Sequence, residues 1–376
     1  MKYSEKEALF TLMGIENLTT QRIRKMKDFA GSYSEVLGIS ESEYVKCGII
    51  NPQRDGKFKG AFEKKRTDKR YLDKAKRSFE GLNSRGIRMV DYTEEGMPNR
   101  ILAMPDPPLA LFVKGELPDD NKPAVSIIGA RICSEYGREV ARYMSRELAS
   151  RGVQIVSGMA LGIDSAAAEG ALSVDEKTYA VLGSGVDICY PKESIEIYRS
   201  LTTGSGGVIS EYVPGSAALG WHFVQRNRLI AGLSDVLLVI EAKLKSGTAT
   251  TVNYAMDQGK DVFALPGRIT DPLGRGCNQL IRDGAMVLTN PADVLDYLGL
   301  NGKKAKVSLL NEASAEELTD DEKAVFAVMD TEPMHIEEIA YKAGRTVTEA
   351  IVILSDLEQK GCARQSTQSY YVKRLV

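Results

Sequence analysis

The chain has 376 residues, of which 43 % are hydrophobic and 27 % charged, with a formal net charge of -2. That is a globular composition, long enough for two or three domains, and it excludes an overall basic surface as the means of holding a polyanion. The five cysteines (Cys47, Cys133, Cys189, Cys277, Cys362) form no Cys-x-x-Cys pair, and His222 and His335 are the only histidines. No disulfide framework, metal site or cofactor is therefore expected.

The first residues, MKYSEKEALF, carry charge and no apolar core. No apolar run approaches the roughly 20 residues that span a bilayer. A cytoplasmic protein without membrane contact is expected.

Residues 1–77 read as a helical domain. Ala8, Leu9, Leu12 and Met13 share one helical face; Ile23, Met26 and Phe29 share another. Between them, GIENLTTQRIRKMKDF has the glycine, turn and basic helix of a degenerate helix-hairpin-helix or sterile-alpha-motif-like unit. Gly14 and the Arg22/Arg24/Lys25/Lys27 face suit either backbone contact with DNA or a solvated helix surface. The run from Lys57 to Arg77 reads as an exposed helix with i,i+4 pairs.

Residues 78–300 read as one α/β domain. Strands are expected at Ile87–Val90 and Leu109–Val113, the second ending at Gly115. From Ala124 short apolar runs alternate with helical patterns. Val125–Ile128 stops at Gly129 and leads to a helix over about 135–151; Gln154–Val156 stops at Ser157-Gly158 and leads to a helix over about 163–172. Further strands are expected near 178–182, 208–210, 235–241 and 261–265. Helices are expected near 225–233, 246–258 and 277 and over 291–298, with a strand pairing at 285–288 between the last two. Such alternation is the signature of a doubly wound parallel sheet, which binds ligands beyond the carboxyl ends of its strands.

Residues 301–316 read as a linker. Residues 317–376 then give three helices and a hairpin, the order of a winged helix. The first helix is capped at Thr319 or Asp320, the second ends at Gly344, and the third has Gly361 as its C-terminal glycine. Its apolar face is expected at Val347, Ile351, Leu354 and Leu357.

Four strand-end loops are anion-binding candidates. They are Gly129-Ala130-Arg131 with Ser134 and Gly137, Ser157 to Asp164, Leu182 to Asp187 and Ser246-Gly247-Thr248. Glycine permits close backbone approach, arginine adds bidentate reach, and a helix N-terminus offers N–H groups. One such loop is ordinarily a tight turn; four at one sheet edge define a cleft. Arg226, Asn227 and Arg228 are expected at a helix N-terminus near it, and Lys243 and Lys245 flank the fourth loop. Arg131, Arg226, Arg228 and Lys243 would supply a positive groove; Tyr136, Trp221, His222 and Phe223 are candidates for base stacking, with core packing the favoured role for Trp221 and Phe223. Nucleotide fingerprints fail: Gly183-x-Gly185 lacks the third glycine, and there is no P-loop string and no G-x-S-x-G elbow.

The blocks IIGARICSEYG, SGMALGIDSAAAEGAL, AVLGSGVDICYPKE, ISEYVPG, FVQRNRLIAGLSDVLLVIEA, SGTATTVNYAMDQGKDVFALPG and GCNQLIRDGA, in that order over roughly 85–290, resemble the DNA-processing protein A (DprA, or Smf) family. The resemblance implies an extended Rossmann-like domain flanked by a helical domain and a winged helix. It implies a non-enzymatic protein that binds and protects single-stranded DNA, forms a homodimer and helps load the RecA recombinase in natural transformation. By motif, Arg131, Ser157, Gly158, Arg226, Asn227 and Arg228 fall in the family's phosphate pocket. Gly129 opens its first loop, and Gly162, Gly183, Gly185, Ser246 and Gly247 shape its walls. Lys243 lies on a loop that varies in the family. Ala130 stands where the family usually has serine, as does Thr248.

The alternative is a phosphoribohydrolase-like enzyme on a related fold. That class carries Pro-Gly-Gly-x-Gly-Thr-x-x-Glu at the corresponding turn. Here the Pro-Gly-Gly is missing and Thr251 stands in place of the catalytic glutamate, so acid–base hydrolysis lacks its agent. A transcription regulator is the other alternative, but the third C-terminal helix has few of the cations expected of a recognition helix.

Overall fold

The computed structural model describes residues 3–51, 53, 60–300 and 318–375. The expected linker at 301–316, and the start of the basic run at 57–59, lie outside the described residues. The chain forms two compact units. The first comprises Met1–Leu117, Leu182–Cys189 and Val208–Arg226; the second comprises Pro118–Val181, Tyr190–Gly207 and Asn227–Val376.

In the first unit, helices Glu5–Met13, Thr20–Ala30 and Lys69–Glu80 start at side-chain caps from Ser4, Thr19 and Asp68. These caps take up N–H groups that the first helical turn leaves without partners. Leu9, Leu12, Ile23, Met26, Tyr44 and Phe62 fill the core, whereas Phe29 is exposed. Gly14 is a packing residue: a Cβ there would lie 2.9 Å from the Tyr71 hydroxyl. Arg24 donates to the Pro107 carbonyl and lies over the Tyr92 ring, so part of the expected basic face is used internally.

Strand β1 (Ile87–Asp91) pairs antiparallel with β2 (Ala110–Gly115), Ile87 opposite Lys114. Ile87, Met89 and Phe112 join the helices in one core, where Phe10 meets Phe112 edge-on at 5.8 Å. The strand order in this unit is β1-β2-β6, where β6 spans Gly206–Ser210 and contributes its residues from Val208.

The second unit is built on parallel strands β3 (Ala124–Ile128), β4 (Gln154–Ser157), β5 (Thr178–Val181), β7 (Val236–Val239), β8 (Val262–Ala264) and β9 (Met286–Val287). Their order is β5-β4-β3-β7-β8-β9. Every residue of β3, β4 and β7 is buried, as a sheet covered by helices on both faces requires. Each fully buried Val, Leu or Ile contributes roughly 1.5–3 kcal/mol over leaving it exposed.

Helix Glu135–Ala149 buries Val140, Ala141, Met144 and Leu148; helix Ile163–Leu172 buries Ala166, Ala167 and Ala171. The small residues let these two helices touch along their backbones. At Gly170 a Cβ would lie 2.3 Å from the Arg142 carbonyl oxygen.

The winged helix also lies in the second unit. Helices Asp320–Val328, Ile336–Ala343 and Val347–Gln359 pack on a sheet of order β10-β12-β11 (β10 Met334–His335, β11 Ala363–Thr367, β12 Tyr370–Lys373). Capping boxes at Thr319/Glu322 and Thr346/Glu349 start two of the helices, and Gly344 ends the third in the left-handed region. The buried stripe of the last helix is Ala350, Leu354 and Leu357; Val347 and Ile351, expected on that face, are exposed. Both sets fit helical spacing, and the helix is turned so that the small Ala350 faces the core.

Helix Glu135–Ala149 meets the winged helix through charge. Buried Glu139 pairs with Arg142, and Arg364 Nε and Arg374 Nε each lie 3.9 Å from it. Arg364 also pairs with Glu135.

The chain is thus a mixed α/β protein with a mostly parallel central sheet and a C-terminal winged helix. No described helix is long and apolar enough to cross a membrane.

Candidate nucleic-acid interface

In the second unit, the first two candidate loops, Gly129-Ala130-Arg131 and Ser157 to Asp164, are locked together into one cradle. The Ile163 N–H donates to the Ala130 carbonyl, 3.2 Å away. Gly162 has φ +82°, and a Cβ there would lie 2.3 Å from the Ala130 oxygen and 2.6 Å from the Arg131 oxygen. A Cβ on Gly129 would meet Ile163 Cγ1 at 2.6 Å. Only glycines allow this approach.

Asp164, buried, accepts from the Gly158 and Ala160 N–H groups at 3.1 and 3.3 Å. Ser157 is also buried, and its hydroxyl donates to the Ile127 carbonyl at 2.7 Å. Ser157 and Gly158 therefore shape the cradle from within, and several N–H groups expected to face a ligand are engaged internally. Arg131 on the first loop is exposed. It lines a cavity of about 740 Å³ with Arg138, Gly162 and Ser165, and with Glu169, Glu193 and Glu196.

The next strand end adds a second cationic element. Lys243 and Lys245 are exposed on the loop after β7. Helix Thr248–Asp257 begins at Gly247 without a side-chain cap, and the Ser246 hydroxyl oxygen is buried without a hydrogen-bond partner among the described residues. An uncapped helix start behind two lysines favours an anion.

Two supports were not among the expected site residues. Gly276 places the Gly274–Arg282 helix against the loop: its N–H donates to the Ala242 carbonyl at 2.8 Å, and a Cβ would lie 2.4 Å from that oxygen. Glu241 is buried, which pushes its carboxyl up against the lowering effect of hydrogen bonds from Ser134. It accepts from the Ser134 N–H at 2.9 Å and from the Ser134 hydroxyl, and a Cβ on Gly137 would fall 2.4 Å from its carboxyl carbon. Both glycines stand in the blocks quoted above, but nothing local in the sequence shows what they pack against.

Helix Gly220–Gly232 corrects an expectation. It starts five residues before Gln225, so Arg226, Asn227 and Arg228 lie inside it and not at its N-terminus. The run Trp221–Val224 is bulky and uncapped and reads equally well as extended chain. Arg226 and Arg228 are only 3 % and 4 % exposed, so neither is a surface arginine. Arg228, in the second unit, lies on a turn fixed by Gln258, which donates to its carbonyl at 3.1 Å. Arg226, in the first unit, has its guanidinium 5.7 Å from the Phe223 ring centre.

In the first unit, Gly183 and Gly185 are sites of close approach. A Cβ on Gly183 would lie 2.8 Å from the Phe223 ring, and one on Gly185 would lie 2.7 Å from Asp187 Oδ1. His222 Nδ1 is 3.1 Å from the Gly183 and Ala217 carbonyl oxygens, so it carries the ring proton and donates. Burial lowers the His222 pKa. His222 is a structural residue.

Parallel strands ending in glycine loops, joined by helices and followed by a winged helix, define a Rossmann-like α/β protein. The chain belongs to the DNA recombination-mediator protein A family: residues 88–299 match that family, and residues 311–367 match its winged-helix domain. It is 34 % identical over 303 residues to Protein Smf of Escherichia coli (strain K12), covering 79 % of this chain and 81 % of that one. It is 44 % identical over 190 residues to the DNA processing protein DprA of Streptococcus pneumoniae, covering 50 % of this chain and 67 % of that one.

Among solved structures it is similar to the X-ray structure of DprA from Streptococcus pneumoniae, with a TM-score of 0.64, 33 % identity, and 79 % and 98 % of the two chains covered. It is also similar to DNA processing protein A from Helicobacter pylori, described for its single-stranded DNA binding mode, with a TM-score of 0.50, 31 % identity, and 56 % and 95 % covered.

Proposed function

We propose that this chain binds single-stranded DNA through its phosphates, protects incoming strands and helps load the RecA recombinase during natural transformation. The observation that carries the reading is the exposed Arg131 on a loop locked by Gly162, in a chain of the recombination-mediator family. Arg226, Arg228 and Lys243 supply further charge, and Gly129, Gly158, Gly183, Gly185, Ser246 and Gly247 the close walls, with Ser157 and Asn227 as supports. In this reading the protein is a cytoplasmic homodimer that works by binding, without a catalytic centre.

Two observations weigh against the alternatives. Thr251, at the position of the hydrolase glutamate, is buried in helix Thr248–Asp257 and is no acid or base. Helix Val347–Gln359 carries Glu349, Asp356 and Glu358, which repel a duplex backbone. The binding reading is tested by gel shift of a labelled single strand against the wild type, Arg131→Ala and the Arg226→Ala/Arg228→Ala pair. Loss of affinity in folded variants is expected, and unchanged affinity across the series removes these residues from the mechanism. Release of free base from nucleoside monophosphates at enzymatic rates would overturn the non-enzymatic assignment.

A further inference from the structure

The first unit contains a second groove that the phosphate reading does not use. It has a volume of about 580 Å³ and lies between the turn Gly14–Thr20 and the start of helix Gly220–Gly232. Trp221, the only tryptophan in the chain, stands on its wall 61 % exposed. Its indole is rigidly seated. It meets the Tyr212 ring edge-on at 6.3 Å and the His222 ring at 4.1 Å, and those two rings stack on each other at 3.8 Å. His222 is in turn pinned by its Nδ1 proton to the Gly183 and Ala217 carbonyls. A large apolar ring fixed in an exposed position, with few rotamers to lose, is a preformed stacking platform.

The groove has the chemistry of a base site and lacks that of a backbone site. Among the described residues no lysine or arginine lines it, and the charged lining groups are Glu16 and Glu211. A phosphodiester would be repelled there, whereas an uncharged ring would not. The opposite wall offers Asn17, exposed and held at φ 62°, and Thr20. The Tyr212 hydroxyl donates to Gln225 Oε1 at 3.3 Å, which leaves the amide nitrogen of Gln225 as a donor. These groups can meet the polar edge of a base while the indole covers its face. Arg226 follows Trp221 by five residues on the same helix, about 7.5 Å along its axis. The same offset turns Arg226 about 140° from Trp221 around the helix, so a strand that meets both passes round it.

We infer that the groove between Gly14–Thr20 and Trp221 receives an unstacked base of the bound DNA strand, with the Trp221 indole as its platform. This rests on the single-stranded DNA reading above and adds a base contact to its phosphate contacts. It also gives the N-terminal helical region a part in DNA binding, through the turn before helix Thr20–Ala30 and independently of that helix's basic face.

Because Trp221 is the sole tryptophan, its fluorescence reports this site alone. The full-length chain is titrated with oligothymidylate and, in parallel, with an abasic strand of the same length. Oligothymidylate should quench the emission saturably, and the abasic strand should bind with little quenching. Trp221→Ala should weaken oligothymidylate binding about tenfold, the scale of one lost base stack. It should leave abasic-strand affinity unchanged, and Trp221→Phe should recover part of the loss. Saturated oligothymidylate binding without quenching, or equal affinity of wild type and Trp221→Ala for it, overturns the inference and leaves the phosphate reading standing. A wild type that binds neither strand overturns both.

Discussion

Replacing Gly162 with alanine tests the cradle at its tightest point. The residue sits at φ +82° with ψ -121°, a conformation foreign to L-residues. Forcing a side chain into the left-handed half of the map costs about 1–2 kcal/mol. The new Cβ would also lie 2.3 Å from the Ala130 oxygen and 2.6 Å from the Arg131 oxygen, both backbone atoms. Overpacking of that kind costs typically about 1–3 kcal/mol more. The sum, roughly 2–5 kcal/mol, corresponds to a melting temperature lowered by about 10 °C for a domain of this size.

The local consequence matters more. Relief of the clash must push Ala130-Arg131 away from Gly162, so DNA affinity should fall by about tenfold or more even where the protein is folded. Gly152→Ala is the control. Gly152 has the same φ of +82° but nothing within 4 Å of a Cβ, so it should lose only the strain energy and keep its DNA affinity. Differential scanning calorimetry and a binding titration on both variants give the two quantities. If Gly162→Ala melted and bound DNA like Gly152→Ala, the locked-loop account would be wrong.

Three further outcomes follow from the packing. Leu354→Ala should destabilise the winged helix by about 2–5 kcal/mol, while Ile351→Ala, on the exposed face, should change stability by less than about 0.5 kcal/mol; urea melts followed by circular dichroism distinguish them. Glu139→Gln leaves Arg142, Arg364 and Arg374 without their buried counter-ion and should cost about 3–5 kcal/mol, measured by thermal melting. His222 makes the first unit acid-sensitive. Burial lowers its pKa, so as pH falls through about 6.5 the unfolded chain takes up the proton first. Its contribution is intact above that pH and lost progressively below it. Denaturant midpoints across this range should fall more for the wild type than for His222→Gln.

Much of the second unit could be read from the residues because its signals are local. Short apolar runs end at Gly129 and at Ser157-Gly158, and helix Ile163–Leu172 has the bounds its pattern suggests. In the winged helix, Thr319 with Glu322 and Gly344 mark helix ends by chemistry that acts within four residues. What escaped the reading depends on distant partners. Trp221–Val224 has no capping signal, so the start of its helix is set by packing of Phe223 and His222 against the Gly183 loop. The burial of Arg226 and Arg228, the inward hydroxyl of Ser157 and the fit of Gly137 to Glu241 are long-range facts. Two equally spaced stripes on helix Val347–Gln359 could not be ranked without the core they face.

The central claim is that Arg131 neutralises a DNA phosphate. It is tested most directly by the salt dependence of single-stranded DNA affinity in wild type and Arg131→Ala. The account predicts affinity lower by about tenfold in the variant, the worth of a charge-assisted hydrogen bond. It also predicts a plot of log affinity against log salt shallower by about 0.7, the value of one released counterion. Equal affinity and equal slope, in a variant with wild-type circular dichroism, would contradict it.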